Sequence, residues 1–139
     1  MKVVLDTVIF VRALINPRGR WGRLLFELNE RYVIVLSPEI AKEILTVLYR
    51  PALRRRYPQI AYPDDLRRIL AILEQAEIVE PKERLAVCRD VQDNKFFECA
   101  VEAKAKYIVS EDRGILAVGE FEGIRTVDAG AFIRLLSKE

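Results

Sequence analysis

Residues 88–112, CRDVQDNKFFECAVEAKAKYIVSED, constrain the fold more than any other stretch of the chain. From Asn94 the apolar positions Phe96, Phe97, Ala100, Val101 and Ala103 recur at helical spacing, and Lys95, Glu98, Glu102 and Lys106 fall on the opposite stripe, which such a pattern assigns to solvent. Residues 107–110 are too few and too β-branched to extend that helix, so they read as a buried strand. Asp90 and Asp93 precede the helix, and Glu111 and Asp112 follow the strand. In an open parallel sheet, ligand chemistry gathers beyond the carboxyl ends of the strands. The question this stretch sets is which other acids end strands.

The 139 residues suit one domain spanning 1–139, with a core that needs no disulfides. The chain has no histidine. That removes serine–histidine–acid and cysteine–histidine hydrolysis and histidine-based RNA cleavage, leaving carboxylates, hydroxyls, lysines or a bound metal. Without histidine, Cys88 and Cys99 make no zinc site, and they read as free thiols. Apolar runs are short, no membrane span is expected, and no signal sequence opens the chain, so the expected setting is cytoplasmic. A net charge of +2 is too small to identify a polyanionic partner by itself.

Taken in order, residues 2–6 (KVVLD) read as a buried strand closing on a carboxylate. A short helix or turn follows to Asn16-Pro17, then a flexible basic loop over residues 18–23 (RGRWGR). A helix is expected over residues 21–30 and a second strand over residues 32–36. Ser37-Pro38 is a helix start, with a hydroxyl at the N-cap and proline in the first turn; that helix runs to about Arg50 and has Glu43 at the edge of its apolar face. A helix from Pro63 to about Ala76 leads to a short strand at residues 77–79. An irregular connection over residues 80–92 reaches the acidic pair. A last strand at residues 124–127 and a closing helix from Ala129, capped by Asp128, complete the chain. Strands alternating with helices predict an α/β fold, a parallel sheet covered on both faces.

Asp6, Asp93 and Asp112 stand where such a sheet would gather them, and Glu43 is placed to join them. Each has an ordinary duty when taken singly: Asp6 and Asp112 as turn formers, Asp93 as the N-cap of its helix, Glu43 as a surface residue. Together they repel one another unless a cation neutralises them. An all-oxygen set suits Mg²⁺ or Mn²⁺. Such an ion activates water and neutralises charge on a phosphodiester, which needs no histidine.

The strand ending in Asp6-Thr7, then Glu43-Ile44-Leu45, then Asp93-Asn94-Lys95-Phe96 with Ala100, then Tyr107-Ile108-Val109-Ser110 and Asp112, resembles the PIN domain family. The nearest branch comprises toxin components of prokaryotic toxin–antitoxin pairs. The resemblance covers nearly the whole chain. It implies a three-layer α/β/α fold with a five-stranded parallel sheet and a metal-dependent endoribonuclease activity. Carried over by position, it makes Asp6, Glu43, Asp93 and Asp112 the catalytic acids. Asp6 and Asp93 would ligate Mg²⁺ or Mn²⁺, with Asp112 completing the metal site and Glu43 binding metal or orienting water. Thr7, Ser110 and Asn94 would support them. Hydrolysis by water would leave 5′-phosphate and 3′-hydroxyl ends. The chain departs from the family in one place, with Val8 where asparagine usually follows the Asp-Thr pair.

Arg12, Arg18, Arg20 and Arg23 follow the strand that delivers Asp6, so they are placed to meet a phosphate backbone, with Trp21 to stack on a base. The alternative is a solvated loop with the indole packed inward. Leucine and isoleucine in excess over residues 37–76 suggest a homodimer contact or a groove for an antitoxin. Two other functions compete. A haloacid-dehalogenase-like phosphatase wants a second aspartate at position 8, which is Val8. A degenerate PIN module would bind RNA or protein without cutting.

Overall fold

The computed structural model describes residues 1–61 and 63–138; Tyr62 and Glu139, which the one-domain span includes, lie outside the described residues. Six strands form one sheet in the order β3-β2-β1-β4-β6-β5: β1 Lys2–Leu5, β2 Val33–Leu36, β3 Glu77–Ile78, β4 Tyr107–Val109, β5 Glu120–Phe121 and β6 Ile124–Val127. Helices flank it: α1 Thr7–Ile15, α2 Arg20–Gly22, α3 Pro38–Leu48, α4 Pro51–Arg56, α5 Pro63–Gln75, α6 Asn94–Ala103, α7 Arg113–Leu116 and α8 Ala129–Ser137. Among the described residues no helix is long and apolar enough to cross a membrane.

Five strands are parallel, as the sequence implied. The sixth, β5, is an antiparallel edge strand paired Phe121↔Ile124 with β6, and it corrects the five-stranded expectation. Its cause is local. Glu122 and Gly123 both adopt positive φ (49° and 82°), the conformation of a two-residue hairpin turn whose twist matches the flanking strands.

β1 and β4 are almost wholly buried, with Val3, Val4, Leu5, Ile108 and Val109 at 0% exposure. Continuous apolar runs of this kind are what a central parallel strand needs, because both faces are covered. Among the described residues Phe10 of α1, Phe96 and Phe97 of α6 and Phe132 of α8 are the bulkiest fully buried side chains.

Two expectations about helices fail. Residues 21–30 do not form one α-helix. α2 passes into a π-type turn over Arg23–Glu27, closed by Leu28 N–H donating to the Arg23 carbonyl at 3.0 Å, and then into a 3₁₀ turn over Asn29–Arg31. The basic loop before it is therefore partly helical. It packs tightly against the preceding turn: a Cβ on Gly22 would lie 1.8 Å from the Pro17 carbonyl oxygen, so only glycine fits there.

The second failure is α6, where Asn94 through Ala100 are all buried, Lys95 and Glu98 included. The periodicity assigned those two to solvent. Residues 79–88 instead strap the helix along that stripe. Lys82 N–H donates to Glu102 Oε1 (3.1 Å), Leu85 N–H to Glu98 Oε2 (2.9 Å), and Val87 and Cys88 N–H both to Asn94 Oδ1 (3.0 and 2.8 Å). Positions 94, 98 and 102 lie one turn apart on a single helix face, so they form a rail of acceptors for a strand-like segment that has no sheet partner there.

Candidate functional site

The acids gather at the carboxyl ends of β1 and β4, through three different helix starts. Asp6 ends β1 and is 8% exposed, and its N–H donates to the Val109 carbonyl at 2.9 Å, which fixes it beside β4. It stands at the N-cap of α1, where its side chain makes no cap hydrogen bond of full geometry and only feels the Val8 N–H. Asp6 Oδ2 instead accepts a hydrogen bond from Ser110 Oγ at 2.6 Å. Ser110 is fully buried, and its Oγ in turn accepts from Asp112 N–H at 2.9 Å. One hydroxyl thus sets the spacing between the acid that ends β1 and the acid that follows β4.

Asp112 is the N-cap of α7 and accepts from Ile115 N–H at 3.1 Å through Oδ2. Asp93, expected to cap α6, does not; its carboxylate makes no cap hydrogen bond. The local capping falls to Asp90, which accepts from Gln92 N–H. A perfectly good capping residue left uncapped is available for other work.

Glu43 projects from the second turn of α3, 35% exposed, with both oxygens engaged. Oε1 pairs with Lys95 Nζ at 2.8 Å, and Oε2 accepts from Thr7 Oγ1. Thr7 is therefore a tie between α1 and α3. Asn94 faces the strap through its Oδ1, so its support is to the loop.

The electrostatics agree with the convergence. Burial raises the Asp6 carboxyl; Ser110 and the Val8 N–H pull it down, and Glu43 and Asp112 push it up again. The Asp93 carboxyl is pushed up to about 6, first by burial and then by the charges of Asp112, Asp90 and Asp6, with Lys95 opposing. Burial and then Asp93, Asp112 and Asp90 push the Cys88 thiol up to about 11, so it stays protonated and inert. Carboxylates that disfavour one another's charge are a site that gains from a cation.

As placed, and among the described residues, no three acids or thiols stand close enough to hold one ion together. The donor set is nevertheless right in chemistry: hard oxygens only, with net negative charge. Mg²⁺ is commonly held by one or two carboxylates with water filling the rest of its shell, which such spacing allows.

The basic residues divide. Trp21 is half-buried against the core, and its indole N–H donates to Glu111 Oε1 at 3.1 Å, which also accepts from Ala129 N–H. Arg12 and Arg20 flank its ring at 5.1 and 5.7 Å. Arg18 and Arg23 are exposed, the latter 3.8 Å from Glu27. Glu111 was not singled out from the sequence as a functional residue. Its position beside Asp112 was the available signal.

The PIN domain family matches residues 2–114. The chain belongs to the PIN domain family. PIN domains are generally nucleases and typically use divalent metals. The chain is 38% identical over 123 residues to the uncharacterized protein MJ1680 of Methanocaldococcus jannaschii, covering 85% of this chain and 75% of that one. Two crystal structures share the PIN fold. PAE2754 from Pyrobaculum aerophilum has a TM-score of 0.61 at 18% identity, over 100% of this chain and 91% of its own. VapBC2 from Rickettsia felis, bound to a DNA fragment from their promoter, has a TM-score of 0.58 at 14% identity, over 92% and 98%.

Proposed function

We propose that this PIN domain is a Mg²⁺- or Mn²⁺-dependent endoribonuclease, working in the cytoplasm as the toxin of a toxin–antitoxin pair. The observation that carries the reading is the convergence of Asp6, Asp93 and Asp112 in a chain with no histidine: Ser110 Oγ ties Asp6 to the segment of Asp112, whose charge raises both the Asp6 and the Asp93 carboxyls.

Asp6 and Asp93 would hold the cation directly, with Asp112 reaching it through water. When bound, it neutralises charge on the phosphodiester and makes water a better nucleophile. Ser110 keeps Asp6 and Asp112 in register. Glu43, engaged by Lys95 and Thr7, orients the attacking water. That water adds to phosphorus and the 3′-oxygen leaves, giving 5′-phosphate and 3′-hydroxyl ends, with the RNA 2′-hydroxyl a bystander. Arg12, Arg18, Arg20 and Arg23 meet the RNA backbone around Trp21. The antitoxin rests on the family branch that the sequence resembles and on the VapBC likeness. Exposed Leu45 on α3 and Tyr49 at its C-terminal end are available to that partner or to a second copy in a homodimer.

The test is a labelled single-stranded RNA incubated with the protein in Mg²⁺ or Mn²⁺ and in EDTA, beside Asp6→Asn prepared identically. Cutting that needs the metal and is lost in the variant supports the nuclease. Mn²⁺ binding with no cutting of several RNAs would instead assign a module that binds without cleaving.

A further inference from the structure

Among the described residues Lys95 is the one buried cation of the acid region. It is 5% exposed, in the first turn of α6, next in sequence but one to Asp93. Its Nζ donates to the Gln92 carbonyl at 2.5 Å and pairs with Glu43 Oε1 at 2.8 Å, so the ammonium is turned inward and is not presented to RNA. Thr7 Oγ1 donates to the other Glu43 oxygen. The chain of contacts Gln92, Lys95, Glu43, Thr7 therefore joins α6, α3 and α1; Asp93 and Asp6 stand at the starts of α6 and α1, and Glu43 in the second turn of α3.

Glu43 is half-buried and its charge is met by a cation, a role that two-metal nuclease sites give to a second ion about 3.5–4 Å from the first. Here the partner is already present in the protein. An ammonium is a compact point charge with donors that suit a carboxylate oxygen. We infer that Lys95 takes the place of a second divalent cation, so that the acid site binds one metal ion and Glu43 is not among its ligands. The inference rests on the metal-dependent reading above. Charge counting agrees with it: four carboxylates and Lys95 are left with one net negative charge by a single divalent ion, whereas four carboxylates alone are left with two. The charge of Lys95 is also felt beyond Glu43, since it opposes the elevation of Asp93.

The test is Mn²⁺ stoichiometry by titration calorimetry on metal-stripped protein, with circular dichroism to check folding. Wild type and Lys95→Arg should each bind one ion, and Lys95→Met should bind two. The double variant Lys95→Met/Glu43→Gln restores the charge balance and should return to one. Two ions on wild type, on Lys95→Arg or on the double variant would overturn the inference and leave the metal site standing, as would one ion on folded Lys95→Met. No ion on wild type would overturn the metal site and this inference together.

Discussion

Ser110 Oγ, with no exposure to solvent, donates to Asp6 Oδ2 at 2.6 Å and accepts from the Asp112 N–H at 2.9 Å. A single hydroxyl therefore holds an acid from β1 against the segment that carries the acid after β4. Ser110→Ala deletes both bonds and little volume. Groups that orient metal-binding carboxylates are typically worth 10–100-fold in affinity or activity, so Mn²⁺ affinity should fall by about that factor with the fold retained. Calorimetric titration of Mn²⁺ measures it; unchanged affinity would show that Ser110 is only packing.

Asp93 gives a pH dependence with a defined sign. Its folded-state carboxyl is raised from 3.8 to about 6, so protonation stabilises the folded chain more than the unfolded one. This contribution is complete below the unfolded value and is lost as pH rises through about 6. Metal-free protein should accordingly melt higher near pH 5 than near pH 7.5, as far as this group decides. Asp93→Asn should raise the metal-free Tm by a few degrees at pH 7.5, by about half as much at pH 5, and little below pH 3.8. The carboxylate is partly solvated, so the difference should shrink in high salt. Melting curves at both pH values check it, and an Asp93→Asn protein less stable at pH 7.5 would contradict it.

Asn94 Oδ1 receives two backbone N–H groups of the strap, from Val87 and Cys88. Asn94→Ala strands both donors at the least exposed end of that segment. These donors are half-buried, so leaving them unpaired costs about 1 kcal/mol, the low end for an unpaired donor, and Tm should drop by a few degrees. Hydrogen exchange should rise at Val87 and Cys88 first. Protection there equal to wild type would mean that the strap is held by other contacts.

Trp21 is the chain's single tryptophan, so its fluorescence reports the Glu111 contact directly. Glu111→Ala frees the indole N–H and also the Ala129 N–H. The emission should shift to the red as the ring becomes more solvated. If the Arg12–Trp21–Arg20 stack contacts RNA, affinity for single-stranded RNA should fall several-fold with it, read by fluorescence anisotropy. A shifted emission with full RNA affinity would remove Trp21 from the binding surface.

Much of the fold was legible because each buried strand is a short apolar run stopped by a polar residue: Leu5 by Asp6, Leu36 by Ser37, Val109 by Ser110, Val127 by Asp128. The caps Ser37 and Asp128 behave as their sequence positions imply, accepting from Ile40 and Ala131 N–H. What was missed has physical causes. β5 is two residues long and has no period to detect; only Glu122-Gly123 between Phe121 and Ile124 signals it. The burial of Lys95 and Glu98 depends on residues 79–88 lying across α6, and the periodicity of one helix does not register what a distant loop covers. Trp21 and Glu111 are 90 positions apart, and nothing local links them. The four acids were singled out by type and by their places at strand ends or on the adjoining helices, but the pairing of Glu43 with Lys95 had no sequence signature.

The central claim is that water, not the RNA 2′-hydroxyl, attacks at a site of carboxylates and a divalent ion. The most direct measurement is the end chemistry of products from a labelled RNA cut in Mn²⁺, with Asp6→Asn and an EDTA control alongside. The account predicts 5′-phosphate and 3′-hydroxyl ends, formed only with the metal and only by protein that retains Asp6. A 2′,3′-cyclic phosphate, or cutting that survives EDTA or Asp6→Asn, would contradict it.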